Sequence, residues 1–185
     1  MQIIAGSKRG AKLAMLADQS VRPTAQRTRE SLFNILASGR LPITLNEAII
    51  LDLFAGSGAL GLEAISRGAQ KALFVEKSAD ATAIIRQNIT KLGFESRCKI
   101  IQADCLKTTH WPHPPASLIF CDPPYDKAMA VPALQQMKRI GAFTKDALLV
   151  IEARKSEKIE LPDEMMLLDK RRYGMAALYF CQFTH

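Results

Sequence analysis

From residue 48 to about residue 152, this chain repeats one unit: an apolar run of strand length, a turn marked by glycine or proline, then a segment with helical spacing. Ile49-Ile50-Leu51-Asp52-Leu53-Phe54 reads as the first strand, followed by a helix over 59–67 that closes at Gly68. Strands over 71–76 and 99–103 flank a helix over 80–92 that closes at Gly93. Strands over 117–121 and 147–152 flank a helix over 131–140. Near-continuous apolar runs of this kind are strands buried on both faces. Repeated strand–helix units imply a doubly wound, mostly parallel sheet with helices on both faces. The last two strands, 165–169 and 176–183, leave no room for a helix between them and should pair antiparallel. Such an ending departs from dinucleotide-binding sheets. Trp111, in the loop His110-Trp111-Pro112-His113-Pro114-Pro115, should cover an edge of the core. The two histidines there lack further ligands, so no metal is expected. Met165 and Met166 read as packing residues.

A different pattern precedes this array. Residues 2–5 and 11–16 are short apolar stretches around Gly6-Ser7-Lys8-Arg9-Gly10, which reads as a β-hairpin with a basic loop. Val21-Arg22-Pro23-Thr24 leads into a helix with Thr24 as its N-cap; Leu32, Phe33, Ile35 and Leu36 form its apolar face, and Gly39 closes it. The net charge is +7, and up to Arg40 seven basic residues face only Asp18 and Glu30. Most of the excess therefore sits in the first fifth of the chain, as in a polyanion-binding arm; a solvated basic surface is the plainer alternative. No apolar run approaches the ~20 residues of a membrane span, and no secretory leader opens the chain. A cytoplasmic protein with no membrane partner is expected. The four cysteines form no C-x-x-C pair and read as idle thiols of a reducing compartment.

Two stretches carry chemistry. Asp52-Leu53-Phe54-Ala55-Gly56-Ser57-Gly58-Ala59-Leu60-Gly61 follows a strand and opens a helix. Gly56 and Gly58 let a ligand approach the backbone, and Gly61 permits tight helix–strand packing. Glu76 ends the next strand, where a carboxylate can grip a ribose diol. Asp104 ends the third, near the place of an adenine amino group. An acid ahead of the glycines would repel a pyrophosphate but suits a ligand with a sulfonium and an ammonium, as in S-adenosylmethionine. The plainer alternative is that Asp52 only caps the turn.

The second stretch is Asp122-Pro123-Pro124-Tyr125, at the carboxyl end of an apolar strand, where open α/β sheets bind ligands. Two prolines remove two N–H donors and fix two φ angles. What remains is a stiff corner of carbonyl acceptors beside a carboxylate and an aromatic ring. That corner suits a planar group bearing an N–H₂, either a nucleobase amine or an amide. A rigid turn without chemistry is the alternative.

The glycine stretch, Glu76, Asp104 and Asp122-Pro123-Pro124-Tyr125 resemble the motifs of class I S-adenosylmethionine-dependent amino-methyltransferases. Ile3-Ile4-Ala5-Gly6, Arg9-Gly10-Ala11-Lys12-Leu13 and Arg22-Pro23-Thr24 with Arg27, Arg29-Glu30 and Leu32-Phe33-Asn34-Ile35-Leu36 resemble a narrower group, the RsmD family of bacterial 16S ribosomal RNA guanine-N2 methyltransferases. Phenylalanine also occurs at the last tetrapeptide position there, so Tyr125 is an allowed variant; Arg172-Tyr173-Gly174 fits more loosely and supports the fold, not a site.

The resemblance implies a seven-stranded Rossmann-like methyltransferase domain over 41–185 and a basic hairpin-and-helix extension over 1–40. It implies S-adenosyl-L-methionine as cofactor, held by Asp52, Phe54, Ala55, Gly56, Ser57, Gly58, Glu76, Lys77, Asp104 and Cys105, with Thr24 and Arg27 near the methionine end. It implies a catalytic corner of Asp122, Pro123, Pro124 and Tyr125. Lys8, Arg9, Lys12 and Arg22 are the expected RNA contacts, with Arg22, Thr24 and Arg27 open to either the methionine carboxylate or the RNA; for Arg29 a plain helix-end charge is an equal alternative. The partner implied is 16S ribosomal RNA within a small-subunit particle, met by a monomer. DNA adenine enzymes carry the same tetrapeptide but usually add a recognition domain for which this chain has no room. Protein-glutamine methyltransferases favour asparagine at its first position. A cofactor-binding RNA chaperone without turnover is the alternative of another class.

Overall fold

The computed structural model describes residues 1–16, 23–124 and 128–184, without the side chains of 23–25. The described residues form one seven-stranded sheet in the order β3-β2-β1-β4-β5-β7-β6. Its strands are β1 (Ile49–Leu53), β2 (Lys71–Glu76), β3 (Cys98–Gln102), β4 (Ala116–Cys121), β5 (Phe143–Arg154), β6 (Met165–Tyr173) and β7 (Ala176–Phe183). The helices are α1 (Pro23–Ala37), α2 (Ala59–Ser66), α3 (Ala79–Leu92) and α4 (Ala130–Arg139). β1 to β5 are mutually parallel, whereas β7 runs antiparallel to both β5 and β6. The doubly wound sheet with a terminal antiparallel hairpin is the fold expected from the sequence.

Alternate residues of the central strands feed two cores, one on each face. Ile50, Phe74, Leu118 and Phe120 pack with Leu32, Phe33 and Leu36 of α1, Ile65 of α2 and Ile85 of α3. Leu51, Val75, Ile119 and Cys121 pack on the other face with Leu134 and Met137 of α4 and with Trp111, which does close the core edge.

Four expectations need correction. β5 starts at Phe143, not 147, because Ala116 pairs with Phe143 across a register shift that carries the strand through the polar Thr144-Lys145-Asp146. β6 runs to Tyr173 rather than 169, because β7 supplies partners along its length. Met165 is buried but Met166 is exposed on this edge strand, so only one of the two methionines packs. Helix α1 already includes Pro23, a residue suited to the first helical position, so Thr24 lies inside the first turn rather than at the cap.

The front segment is a minimal hairpin with one antiparallel bridge, Gln2 to Lys12. It is fastened to the helices by buried side chains. Glu63, fully buried on α2, accepts the N–H groups of Ile4 (2.7 Å) and Ala5 (3.0 Å). Asn88, fully buried on α3, accepts the Ala14 N–H at 2.7 Å and donates to the carbonyls of Ala14 and Ser57. Gly6 sits at φ +84°, and a Cβ there would overlap the Ser66 carbonyl. The hairpin tip is thereby pinned to the last turn of α2.

Candidate active site

A cleft of about 630 Å³ opens at the carboxyl ends of β1, β2, β3, β4 and β5. That volume and position are those of an ordinary small-molecule site. Phe54 leaves β1 with φ +59°, a left-handed conformation unusual for an aromatic residue. Gly56 and Gly58 continue the turn at φ +55° and +76°, and the Gly58 N–H donates to the Ala55 carbonyl at 2.7 Å. Gly58 then caps α2. Added to Gly61, a Cβ would overlap the Phe74 ring, so this glycine is required by packing.

The carboxylates are held by backbone donors. Asp52, 2% exposed, accepts the Gly61 N–H at 3.0 Å. Burial pushes its pKa up to about 7; the Gly61 bond opposes the rise and the charge of Glu76 adds to it. Glu76 accepts the Gly56 N–H (3.0 Å) on one oxygen and the Ser78 N–H (2.8 Å) on the other, which fixes it beside the glycine turn. Each oxygen keeps a second lone pair for a ligand hydroxyl. Asp104 accepts the Leu106 N–H at 3.0 Å and lines the same wall. Cys105 is buried there, and burial pushes its thiol up to about 12, which makes it packing rather than a nucleophile.

Asp122, Pro123 and Pro124 form the opposite wall. The Asp122 carboxyl is driven well above the usual carboxylate range by burial first, then by the charges of Glu152 and Asp52. Tyr125 lies outside the described residues, as does Arg22; of Thr24 only the backbone is described.

Of the residues picked out in the sequence, the fold gathers Asp52, Phe54, Ala55, Gly56, Ser57, Glu76, Lys77, Asp104, Cys105, Asp122, Pro123 and Pro124 around one cleft. Arg27 is exposed and not part of the lining. Lys8 lies over the Phe94 ring at 5.9 Å and its N–H donates to Ser66 Oγ, so the hairpin tip stands at the far end of α2 from the glycine turn. An eight-residue helix is about 12 Å long, so Lys8 and Arg9 are not at the cleft mouth.

Several lining residues escaped the sequence reading: Met1, Met15, Leu16, Gln26, Arg29 and Glu152. Arg29 is no helix-end charge. It is 6% exposed, its Nη2 donates to the Gln2 carbonyl at 2.6 Å, and its buried Nε has no hydrogen-bond partner among the described residues. Burial lowers its pKa, Glu63 opposes that and Arg67 adds to it. Together with Lys77 it faces five carboxylates around the cleft: Asp52, Glu76, Asp104, Asp122 and Glu152. Glu152 enters because Ile151 pairs with Cys121, which sets it beside Asp122 on the neighbouring strand.

Comparison with known proteins agrees with this geometry. The family described as Conserved hypothetical protein 95 matches residues 1–182. Ribosomal RNA small subunit methyltransferase D of Haemophilus influenzae is 32% identical over 180 residues, covering 96% of this chain and 91% of that protein. Its Escherichia coli K12 namesake is 32% identical over 153 residues, covering 83% and 74%. A solved Escherichia coli structure described as a candidate methyltransferase, yhhF, superposes with a TM-score of 0.81 at 29% identity, covering 99% of this chain and 97% of that one. A glycine turn, its following carboxylates and a proline corner on one cleft, in a chain matched from end to end, place this protein in the RsmD family, whose family description is Conserved hypothetical protein 95.

Proposed function

We propose that this chain transfers a methyl group from S-adenosylmethionine to the exocyclic N2 amine of a guanine in small-subunit ribosomal RNA. The observation that carries the proposal is the meeting, in one cleft, of the Gly56 turn with Glu76 and Asp104 on one wall and the Asp122-Pro123 corner on the other. The methyltransferase D relatives, named for small-subunit ribosomal RNA, support that substrate class.

The cleft fits the cofactor by charge and shape. Glu76 is placed to accept the ribose hydroxyls and Asp104 the adenine amine. The glycine turn leaves room for the chain between them. Arg29, a cation in a lining otherwise rich in carboxylates, matches the methionine carboxylate by charge, which would be repelled elsewhere. Asp52 supplies negative charge below the turn for the cationic part. When bound, S-adenosylmethionine supplies an electrophilic methyl.

The chain's own task is to present the amine. Guanine N2 is a weak nucleophile because its lone pair is conjugated with the ring. Asp122 Oδ accepts one N–H of the amine, and the Pro123 carbonyl accepts the other. The two bonds favour a pyramidal nitrogen whose lone pair is free to point across the cleft. Tyr125 stacks on the base and sets its plane, worth ~1–3 kcal/mol by analogy with single-strand binders. The target base must leave its stack to reach this corner. In-line positioning then supplies much of the acceleration. Asp122→Ala should abolish transfer to small-subunit RNA while S-adenosylhomocysteine still binds with wild-type affinity. Retained transfer would remove Asp122 from this role.

A further inference from the structure

The cations at the tip of the front hairpin stand away from the cleft, yet the cleft end of the sheet carries cations of its own. β5 continues past Glu152 to Arg154, and the chain goes on as Lys155-Ser156-Glu157-Lys158. β6 ends in Lys170-Arg171-Arg172-Tyr173 before the turn Gly174-Met175. Arg154 pairs with Ala176, and the Lys155 N–H donates to the Met175 carbonyl at 2.7 Å. The β5 extension and the β6–β7 turn therefore form one rim, at the same end of the sheet as Asp122 and Glu152. At ~4.8 Å per strand, β7 lies about 10 Å from β4, and Arg154 stands ~7 Å beyond Glu152. With a rise of ~3.4 Å per nucleotide, a strand whose base enters the cleft passes this rim within a few residues.

The charge on this hairpin is segregated. Arg154, Lys155, Lys158, Lys170, Arg171 and Arg172 are all exposed near the cleft end, against Glu152, Glu157 and Asp169, with Glu160 exposed further along the connection. The acids Asp163 and Glu164 lie at the other end, where the Glu164 backbone carbonyl accepts the Thr184 N–H beyond the end of β7. Asp169 pairs with Arg171 at 2.9 Å, and Lys170 lies 4.3 Å over the Tyr179 ring, so Lys155 and Arg172 are the better candidates for new contacts. Among these cations Met175 is 71% exposed. A flexible apolar side chain amid cations complements a nucleobase between phosphates.

We propose that this rim is an RNA-binding surface: Lys155 and Arg172 contact phosphates next to the target guanine, and Met175 packs on a neighbouring base. The inference rests on the ribosomal RNA reading above and adds to it the surface that carries the substrate strand. The test compares binding of a 16S ribosomal RNA transcript and of assembled small subunits across a salt series by wild type, Lys155→Gln/Arg172→Gln and Met175→Ala, with S-adenosylhomocysteine affinity as the control for folding. At ~0.7 per phosphate contact on single strands, the double variant should lower the slope of log affinity against log salt by ~1.4. Met175→Ala should weaken binding several-fold with the slope unchanged, and all three proteins should hold S-adenosylhomocysteine equally. Wild-type affinity and slope in the double variant would overturn the proposal. So would a loss seen only on assembled small subunits, which would assign the rim to a ribosomal protein. If wild type itself shows no salt-dependent affinity for the transcript or for assembled small subunits, the ribosomal RNA reading fails and the rim with it.

Discussion

Asp52→Asn should act in opposite directions on stability and on cofactor binding. Asp52 is 2% exposed, and its pKa rises from 3.8 to about 7 on folding, chiefly through burial. A carboxyl whose folded pKa is raised contributes stability that is fully present below the unfolded value. That contribution is lost as pH climbs through the folded value, because the unfolded chain then binds fewer protons. About three pH units at ~1.4 kcal/mol each amount to about 4 kcal/mol lost between about pH 4 and pH 8. Asparagine keeps an acceptor for the Gly61 N–H and has no charge to bury. Thermal unfolding without ligand should show the variant gaining on wild type by about 4 kcal/mol over that range, or roughly 8–16 °C in a chain of this size. Comparing the two proteins across pH cancels any fixed cost of the buried amide. Calorimetric titration should show weaker S-adenosylhomocysteine binding by the variant at pH 8. Near pH 6 it should show proton release for wild type alone, since an ammonium favours ionised Asp52. Parallel stability curves across pH would refute the reasoning.

Three further outcomes are expected. Arg29→Met should weaken S-adenosylhomocysteine binding at least tenfold and leave 5′-methylthioadenosine, which lacks the amino-acid part, within about twofold; equal losses would make Arg29 a structural clamp only. Glu152→Gln removes a neighbouring charge that raises the Asp122 carboxyl, so the acid limb of the kcat/KM profile should move to lower pH; an unmoved limb would separate Glu152 from Asp122. Gly61→Ala must displace the Phe74 ring or the helix, and overpacking of this kind costs about 1–3 kcal/mol, readable as a lowered denaturation midpoint.

The sheet was legible because its central strands are buried on both faces and so write themselves as unbroken apolar runs between glycine turns. The chemistry at strand ends was legible for the same reason: Asp52, Glu76, Asp104 and Asp122 each end, or nearly end, such a run. What stayed hidden depends on contacts distant in sequence. Glu152 becomes part of the cleft only through the pairing of Ile151 with Cys121. Arg29 and Gln26 face the cleft while Arg27 does not, because α1 buries one face on Phe120 and its neighbours. Helical spacing marks that face from Leu32 to Leu36, but the first two turns are polar all round and give no sign of which side is inward. The placement of Lys8 and Arg9 follows from Gly6 lying against Ser66, a contact invisible to charge counting. Charge in the sequence therefore drew attention to the tip of the front hairpin, whereas the cations that line the cleft are Arg29 of α1 and Lys77 just past β2.

The central claim is a methyl transfer to one atom of one base. Incubation of small-subunit ribosomal RNA, naked and as assembled particles, with methyl-labelled S-adenosylmethionine and then nuclease digestion reads that atom directly. The label should appear in N2-methylguanosine and be absent from every product made with Asp122→Ala. Label in N6-methyladenosine or in ribosomal protein, or none with either form of the RNA, would contradict it.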